Sequence, residues 1–199
     1  MKTRYDLINA FIKARNYTTF LEIGTDSGET FRAVDCYDKV SVDPNPEAKA
    51  TFQMTSDQFF KMNVRHFDII FIDGFHEFHQ AERDARNALN CLFYGGVVIM
   101  HDCAPNSEDC ARHIDVYEPP KGPWCGDVWK AFVKLRATLP YLCYVWNHDW
   151  GCGIIEPTKR DKEIIKSLPE DLEGLTYKDY LNHPEWLNFK DEPLDIDLQ

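Results

Sequence analysis

The sequence lacks the features that would point to a membrane, to nucleic acids or to a disulfide framework. No apolar run approaches the roughly 20 residues of a membrane-spanning helix, and residues 1–6 contain no apolar stretch of a signal peptide. Basic residues are in deficit, 22 against 33 acidic ones, and the resulting net charge of -11 argues against a general affinity for nucleic-acid backbones. We therefore expect a soluble, cytoplasmic protein that binds neither nucleic acid nor membrane.

The seven cysteines include no Cys-x-x-Cys pair. An odd number without paired spacing favours reduced thiols over a disulfide framework. A structural zinc is the alternative, because Cys103, Cys110 and Cys125 lie in one predicted loop, although zinc sites are usually built from closely paired ligands.

What the sequence does contain is an alternation of short apolar runs with amphipathic stretches. The runs predict strands at residues 18–23, 39–42, 51–54, 69–72, 97–100, 141–146 and 152–155. Helical spacing predicts helices at 5–15, 29–36, 57–64, 78–92 and 126–139. Helix 78–92 carries Glu82, Arg83, Asp84 and Arg86 on its polar face. This order predicts an α/β, Rossmann-like, doubly wound and mostly parallel seven-stranded sheet, with an antiparallel C-terminal hairpin at one edge.

We expect a single domain over residues 1–199, with its core at about 18–157. Residues 158–199 would form a helical extension with weak helical patterns at 162–168 and 176–189, and a frayed tail from 191.

The first strand ends in a glycine-rich turn, Glu22-x-Gly24-x-x-x-Gly28, and the second ends in Asp43. Glycines at a strand-to-helix turn let the backbone approach a ligand closely, and an acid after the second strand can accept hydrogen bonds from a ribose diol. The turn is neither Gly-x-Gly-x-x-Gly nor a lysine-containing phosphate loop. This pattern predicts a nucleoside-containing cofactor without an obligatory pyrophosphate, unless the two acids are only solvated caps.

Four phrases in register, FLEIGTDSGET, VSVDPNP, FDIIFIDGFHEF and GGVVIMHDC, resemble the class I S-adenosylmethionine-dependent methyltransferases. They look closest to a branch similar to the magnesium-dependent sugar O-methyltransferases. The resemblance implies S-adenosylmethionine as cofactor. The residues that it implies as cofactor-binding are Glu22, Gly24, Thr25 and Gly28 around the methionine part, Asp43 at the ribose, Ser56 or Asp57 at the adenine, and Asp73 at the cofactor's inner side.

A second site is predicted where Asp73 and Asp102 end adjacent strands, because their carboxylates should converge at one sheet edge and oxygen ligands suit magnesium or calcium. His76 and His101 flank them. The resemblance implies Asp73, His101 and Asp102 as metal ligands, with Mg²⁺ as the metal, and His76 and Asp73 as catalytic residues, His76 as general base. The chain departs from those enzymes by carrying His101 where they have an acid. The alternatives are that His76 caps the next helix and that Asp102 holds loop backbone.

The loop 103–125 and the following helix start are expected to shape the acceptor pocket. Candidate substrate residues are Tyr117, Trp124 and Asp127, since aromatic faces stack on sugar rings and carboxylates hold hydroxyls. Trp129 is the weaker candidate, because it belongs to an apolar helical stripe and is better explained by packing.

These observations predict an S-adenosylmethionine-dependent O-methyltransferase that acts on a sugar or another small hydroxylated molecule with a divalent metal. One alternative is a metal-independent methyltransferase, and another is a non-catalytic module that binds a partner. Oxygenation with iron is a further alternative, because an Asp, His and Asp set does not distinguish iron from magnesium. A homo-oligomer or an association with glycosyltransferase modules is also compatible with the sequence.

Overall fold

The computed structural model describes residues 2–114, 122–160, 165 and 168–196. The strands are β1 Thr19–Ile23, β2 Asp38–Val42, β3 Phe67–Ile72, β4 Leu92–Met100, β5 Leu142–Trp146, β6 Cys152–Glu156 and β7 Phe189–Lys190. The α-helices are α1 Arg4–Arg15, α2 Glu29–Ala33, α3 Ser56–Met62, α4 Phe78–Asn90, α5 Val128–Thr138 and α6 Tyr177–Asn182. Short 3₁₀ turns occupy Pro46–Ala48 and Pro184–Trp186.

The strands form one seven-stranded sheet in the order β2-β1-β3-β4-β6-β5-β7. Strands β2, β1, β3 and β4 are parallel, β6 runs antiparallel between β4 and β5, and β7 is parallel to β5. The predicted Rossmann-like class is confirmed. Because four neighbouring strands are parallel, the ends of β1, β2, β3 and β4 open onto the same edge of the sheet.

Both faces of the sheet are covered by apolar layers. Successive residues of a strand point to opposite faces, so Ile70 and Ile72 of β3 pack in one layer with Ala85 of α4. Ile69 and Phe71 pack in the other layer, where α1 buries Leu7, Ile8 and Phe11. Burial on both faces explains why β3 reads as a continuous apolar run rather than as an alternating one.

Two strand predictions were wrong. Residues 51–54 form no strand, because only Phe52 makes an isolated bridge to Val42. The seventh strand is instead Phe189–Lys190, which begins at the last residue of a stretch predicted to be helical and pairs with Val145 and Trp146. The hairpin of β5 and β6 therefore lies inside the sheet and not at its edge.

Helix boundaries also differ from the prediction. Helix α2 ends at Ala33 instead of 36, and α4 ends at Asn90, so that Leu92 begins β4. The polar face of α4 is not simply a solvated face. Glu82 is buried and paired with Lys134 of α5 at 2.7 Å and with Arg86 at 2.9 Å.

The predicted frayed tail is held in place as far as residue 196. Trp146 Nε1 donates to the Asp191 carbonyl at 3.1 Å, Leu194 N donates to the Tyr144 hydroxyl at 3.1 Å, and Ile196 is buried. The helical pattern predicted at 162–168 lies almost wholly outside the described residues. Among the described helices, none has the length and apolar character needed to cross a membrane.

Candidate active site

The glycine-rich turn after β1 fits tightly against the end of β3. Gly24 has a φ of +88°, and a Cβ at this position would lie 2.0 Å from the Asp73 carbonyl oxygen. Asp43 fixes the turn from the end of β2, since its Oδ2 accepts hydrogen bonds from the backbone N–H groups of Thr25 at 2.9 Å and Asp26 at 3.0 Å. The Asp43 carboxylate is therefore more than a solvated cap, because it orders the turn.

A cavity of about 440 Å³ opens where β1, β2 and β3 end. Four of the predicted cofactor residues, Gly24, Asp43, Ser56 and Asp73, are among the residues that line it, with Phe75 and Pro44 as apolar walls. Glu22, Thr25 and Gly28 are not part of the lining. Asp57 is not part of the lining either, and it pairs with Arg83 at 2.9 Å. The cavity has the size and position of a nucleoside-binding crevice.

Glu22 is buried beside this cavity with an unsatisfied carboxylate. Its side chain is 1% exposed, and its Oε2 has no hydrogen-bond partner among the described residues. Burial, reinforced by the Asp73 carboxylate and opposed by Arg4, raises the pKa of Glu22 to about 8. The neighbouring Thr25 Oγ1 is buried without a partner as well. Buried polar atoms are normally hydrogen-bonded, so these two fit a ligand that brings a charged donor such as an ammonium group.

Two carboxylates and two imidazoles meet at the ends of β3 and β4. His76 Nε2 lies 3.4 Å from Asp73 Oδ1 and 3.2 Å from Asp102 Oδ2. His101 Nδ1 lies 3.3 Å from each of the same two oxygens. The structure thus brings together all four residues that the sequence placed at the second site, in an alternating ring that we call the Asp–His cluster.

The segment 124–127 holds the cluster from one side. His76 Nδ1 lies 2.8 Å from the Trp124 carbonyl oxygen, and since a carbonyl only accepts, Nδ1 carries the proton and Nε2 faces the carboxylates. The His76 carbonyl accepts from Asp127 N at 3.0 Å. Cys125 Sγ donates to Asp102 Oδ1 at 3.2 Å. His76 therefore does more than cap α4, whose N-cap is Glu77.

Asp102 adopts a left-handed backbone conformation with a φ of +62° and is 6% exposed. Such a conformation is uncommon for a residue other than glycine, and strained residues that persist in a packed interior cluster at functional sites.

The charges of the cluster reinforce one another. Burial opposes the charged form of His76, but the Asp73 and Asp102 carboxylates outweigh it and raise the pKa of His76. Burial likewise opposes the charging of His101, and the same two carboxylates raise its pKa well above the ordinary value. Burial would raise the pKa of Asp73, but the two imidazoles lower it. Without a bound cation the cluster is therefore a set of ion pairs.

The cluster also meets the geometric requirement of a metal site. Asp73, His76 and Asp102 can each offer one ligand atom, and these atoms lie within 4.8 Å of one another. His101 is buried, and neither ring nitrogen makes a well-formed hydrogen bond within the described part of the chain. The donor set and the unsatisfied imidazole fit a divalent cation.

Within the part of the chain that the structure describes, the cysteines build no metal site. All seven are free thiols, and Cys110 Sγ lies 3.1 Å from Cys125 Sγ. Among the described residues, no three of the groups around Cys103, Cys110 and Cys125 come close enough to hold an ion.

The predicted acceptor residues have different surroundings. Tyr117 lies outside the described residues. The Trp124 ring packs against His76 with centroids 5.3 Å apart. Asp127 is buried and paired with His113 and with Lys130, so its carboxylate serves the packing of the loop. Trp129 is buried against Tyr180, as the packing interpretation expects.

Sequence reasoning missed two residues near the site. Asp84 of α4 lines the cavity, is 1% exposed and accepts a hydrogen bond from Gln80 Nε2 at 2.9 Å. Its spacing of four from Gln80, next to the buried Ala85, was the available signal. Arg4 lies close to Asp73 and Glu22, and its Nε donates to Thr30 Oγ1 at 2.8 Å. No sequence pattern indicates that the start of α1 reaches this edge.

Comparison with known proteins agrees with this geometry. Residues 21–103 match a family model described as a methyltransferase domain. No curated protein matches the chain.

Solved structures share the fold at low sequence identity. A candidate caffeoyl-CoA O-methyltransferase from Staphylococcus aureus is 20% identical, with a TM-score of 0.59 over 78% of this chain and 85% of that one. The SAH-bound methyltransferase PaMTH1 from Podospora anserina is 16% identical, with a TM-score of 0.58 over 81% and 80%. An O-methyltransferase from Bacillus cereus in complex with SAH is 18% identical, with a TM-score of 0.51 over 76% and 79%.

Proposed function

We propose that the chain transfers the methyl group of S-adenosylmethionine to a hydroxyl of a small molecule, because residues 21–103 match a methyltransferase domain model and a solved structure described as a candidate O-methyltransferase shares the fold. The observation that carries the proposal is the cavity at the ends of β1, β2 and β3, next to the unsatisfied Glu22 carboxylate. In this proposal the nucleoside part occupies the cavity and the amino-acid part lies towards Glu22 and Thr25. Two of the similar structures bind SAH, which supports the same cofactor here.

The Asp–His cluster would serve the acceptor side. A divalent cation held by Asp73 and Asp102 would lower the pKa of a coordinated hydroxyl. If the carboxylate charge were compensated in this way, the pKa of His76 would no longer be raised, and its Nε2 would be free to accept the hydroxyl proton. Methyl transfer is then a one-step displacement, in which the protein chiefly aligns the two substrates.

For the acceptor we propose a sugar or a glycan-like molecule. The Trp124 ring beside His76 supports it, because aromatic faces stack on sugar rings. A phenolic hydroxyl is the second candidate, because the similar structure from Staphylococcus aureus is described as a candidate caffeoyl-CoA O-methyltransferase.

The first experiment is equilibrium binding of S-adenosylmethionine to the purified protein by titration calorimetry. We expect one site per chain, and a protein that binds neither the cofactor nor SAH would refute the proposal. The second is SAH release with a panel of sugar and phenolic acceptors, with and without a chelator. Full activity in the presence of the chelator would show that methyl transfer does not need a cation.

Substitution of His76 tests whether the Asp–His cluster takes part in catalysis. His76→Ala is expected to abolish transfer with little change in cofactor affinity. His79→Ala is the matched control, because His79 lies three residues further along the chain, its side chain is 56% exposed, and it contacts Glu173 and the Phe78 ring. Equal activity of the two variants would exclude His76 from catalysis.

A further inference from the structure

His101 gives the Asp–His cluster a buried nitrogen donor. Its side chain is 6% exposed, and its Nδ1 lies at 3.3 Å from both Asp73 Oδ1 and Asp102 Oδ2. Donor-to-donor separations of this size are those of ligands about 2.0–2.3 Å from a shared ion. His101 Nδ1 is therefore close enough to both carboxylates to share an ion with them, in addition to the group of Asp73, His76 and Asp102.

The opposite nitrogen of the same ring faces an acid. His101 Nε2 lies 3.9 Å from Asp149 Oδ1, and the backbone N–H of Arg4 donates to Asp149 Oδ2 at 2.6 Å. A histidine that binds a metal commonly turns its second nitrogen to a carboxylate, which fixes the ring and its tautomer. Asp149 is held in the β5–β6 connection in a position to act in this way on His101.

Mg²⁺ is a poor match for this ligand set. It prefers oxygen ligands and keeps several waters, whereas imidazole suits zinc, iron, cobalt and nickel. We infer that the cluster selects a divalent transition-metal ion through His101, and that Asp149 is the positioning residue for that histidine. The inference deepens the proposed function, because it concerns the cation of the same site.

The test compares metal selectivity in the absence of cofactor and acceptor. Co²⁺ is titrated into the wild type and followed by its visible absorption, and Mg²⁺ affinity is measured by competition. Transition-metal ions bind more tightly than Mg²⁺ at most protein sites. The decisive quantity is therefore how the ratio of Co²⁺ affinity to Mg²⁺ affinity changes when residue 101 is substituted.

His101→Asp replaces the His101 nitrogen by a carboxylate oxygen and leaves His76 Nε2 as the remaining nitrogen beside the two carboxylates. We expect Co²⁺ to bind at least about 100-fold more weakly to this variant than to the wild type, while Mg²⁺ affinity is kept or increased. Asp149→Asn should weaken Co²⁺ binding by about 10–100-fold and leave Mg²⁺ binding unchanged. His79→Ala controls for surface histidines and should bind Co²⁺ as the wild type does.

An unchanged ratio in His101→Asp, or no Co²⁺ bound by the wild type, would overturn the inference. If His101→Asp does not fold, the ratio of Co²⁺ affinity to Mg²⁺ affinity is measured in His101→Gln and Asp149→Asn instead, and an unchanged ratio in both would overturn the inference. Because the measurement needs no S-adenosylmethionine, its failure is distinguishable from failure of the proposed methyl transfer.

Discussion

The raised pKa of the buried Glu22 predicts how the stability of the folded protein changes with pH. Its side chain is 1% exposed, and its pKa is raised from 4.5 to about 8. In the unfolded chain the carboxyl loses its proton near pH 4.5, whereas the folded protein retains it to about pH 8. The folded state therefore binds more protons between these values, and the stability of the protein falls as the pH rises through this window.

The size of the effect follows from about 1.4 kcal/mol per pKa unit. The whole shift corresponds to about 5 kcal/mol, of which about 3 kcal/mol falls between pH 5.5 and pH 8.5. Glu22→Gln replaces the carboxyl by a group of similar shape that does not ionise. We expect the free energy of unfolding of the variant, relative to the wild type, to increase by about 3 kcal/mol between these two pH values.

Chemical denaturation at pH 5.5 and pH 8.5 measures this difference directly. Glu47→Gln, on the exposed turn Pro46–Ala48, controls for the loss of one carboxylate and is expected to follow the wild type. A stability difference for Glu22→Gln that stays constant or shrinks as the pH rises would show that Glu22 is ionised in the folded protein at neutral pH. The raised pKa of the buried Glu22 in the free protein would then be refuted.

Three further predictions concern the stability of the protein, each with its own comparison. Gly24→Ala should destabilise the protein by about 3 kcal/mol or more by denaturation, because a Cβ would lie 2.0 Å from a backbone oxygen. Gly95→Ala has the same φ of +88° in open space and should cost only about 1–2 kcal/mol, so equal losses would refute the clash. For Asp84→Asn, the free energy of unfolding relative to the wild type should increase by about 1–2 kcal/mol between pH 5 and pH 7.5, because burial raises the pKa of Asp84 from 3.8 to about 6. A difference that does not change with pH would contradict this prediction. Arg15→Met should cost about 2–3 kcal/mol in a thermal melt, since it removes a partner of the fully buried Glu156, and adding Glu156→Gln should recover part of the loss.

Sequence alone predicted the parallel half of the sheet well. Strands buried on both faces leave continuous apolar runs, and β1, β3 and β4 each end in a chemically distinct group that marks the edge of the sheet. The last strand could not be found in this way. Phe189–Lys190 is two residues long, and its strand conformation comes from pairing with β5 rather than from its own pattern.

The residues of the candidate site were predictable, but their supports were not. Asp73 and Asp102 follow adjacent strands, so their convergence follows from topology. The group that orients His76 is the backbone carbonyl of Trp124, which any residue at that position could supply. Asp84 falls on the polar face of the predicted helix, and charged residues are mostly exposed, yet here it is buried against the cavity.

Asp73 belongs to both the cofactor side and the Asp–His cluster, and its two carboxylate oxygens face different groups. Oδ1 faces the imidazoles of His76 and His101, and Oδ2 lies 4.0 Å from Arg4 Nε. The Asp73 charge also raises the pKa of Glu22. Substitution of Asp73 therefore disturbs the cluster and the cofactor side together, and its loss of activity cannot be assigned to either. Glu22 and His101 each belong to one side only, so substitutions at these two residues are the ones that separate cofactor binding from cation binding.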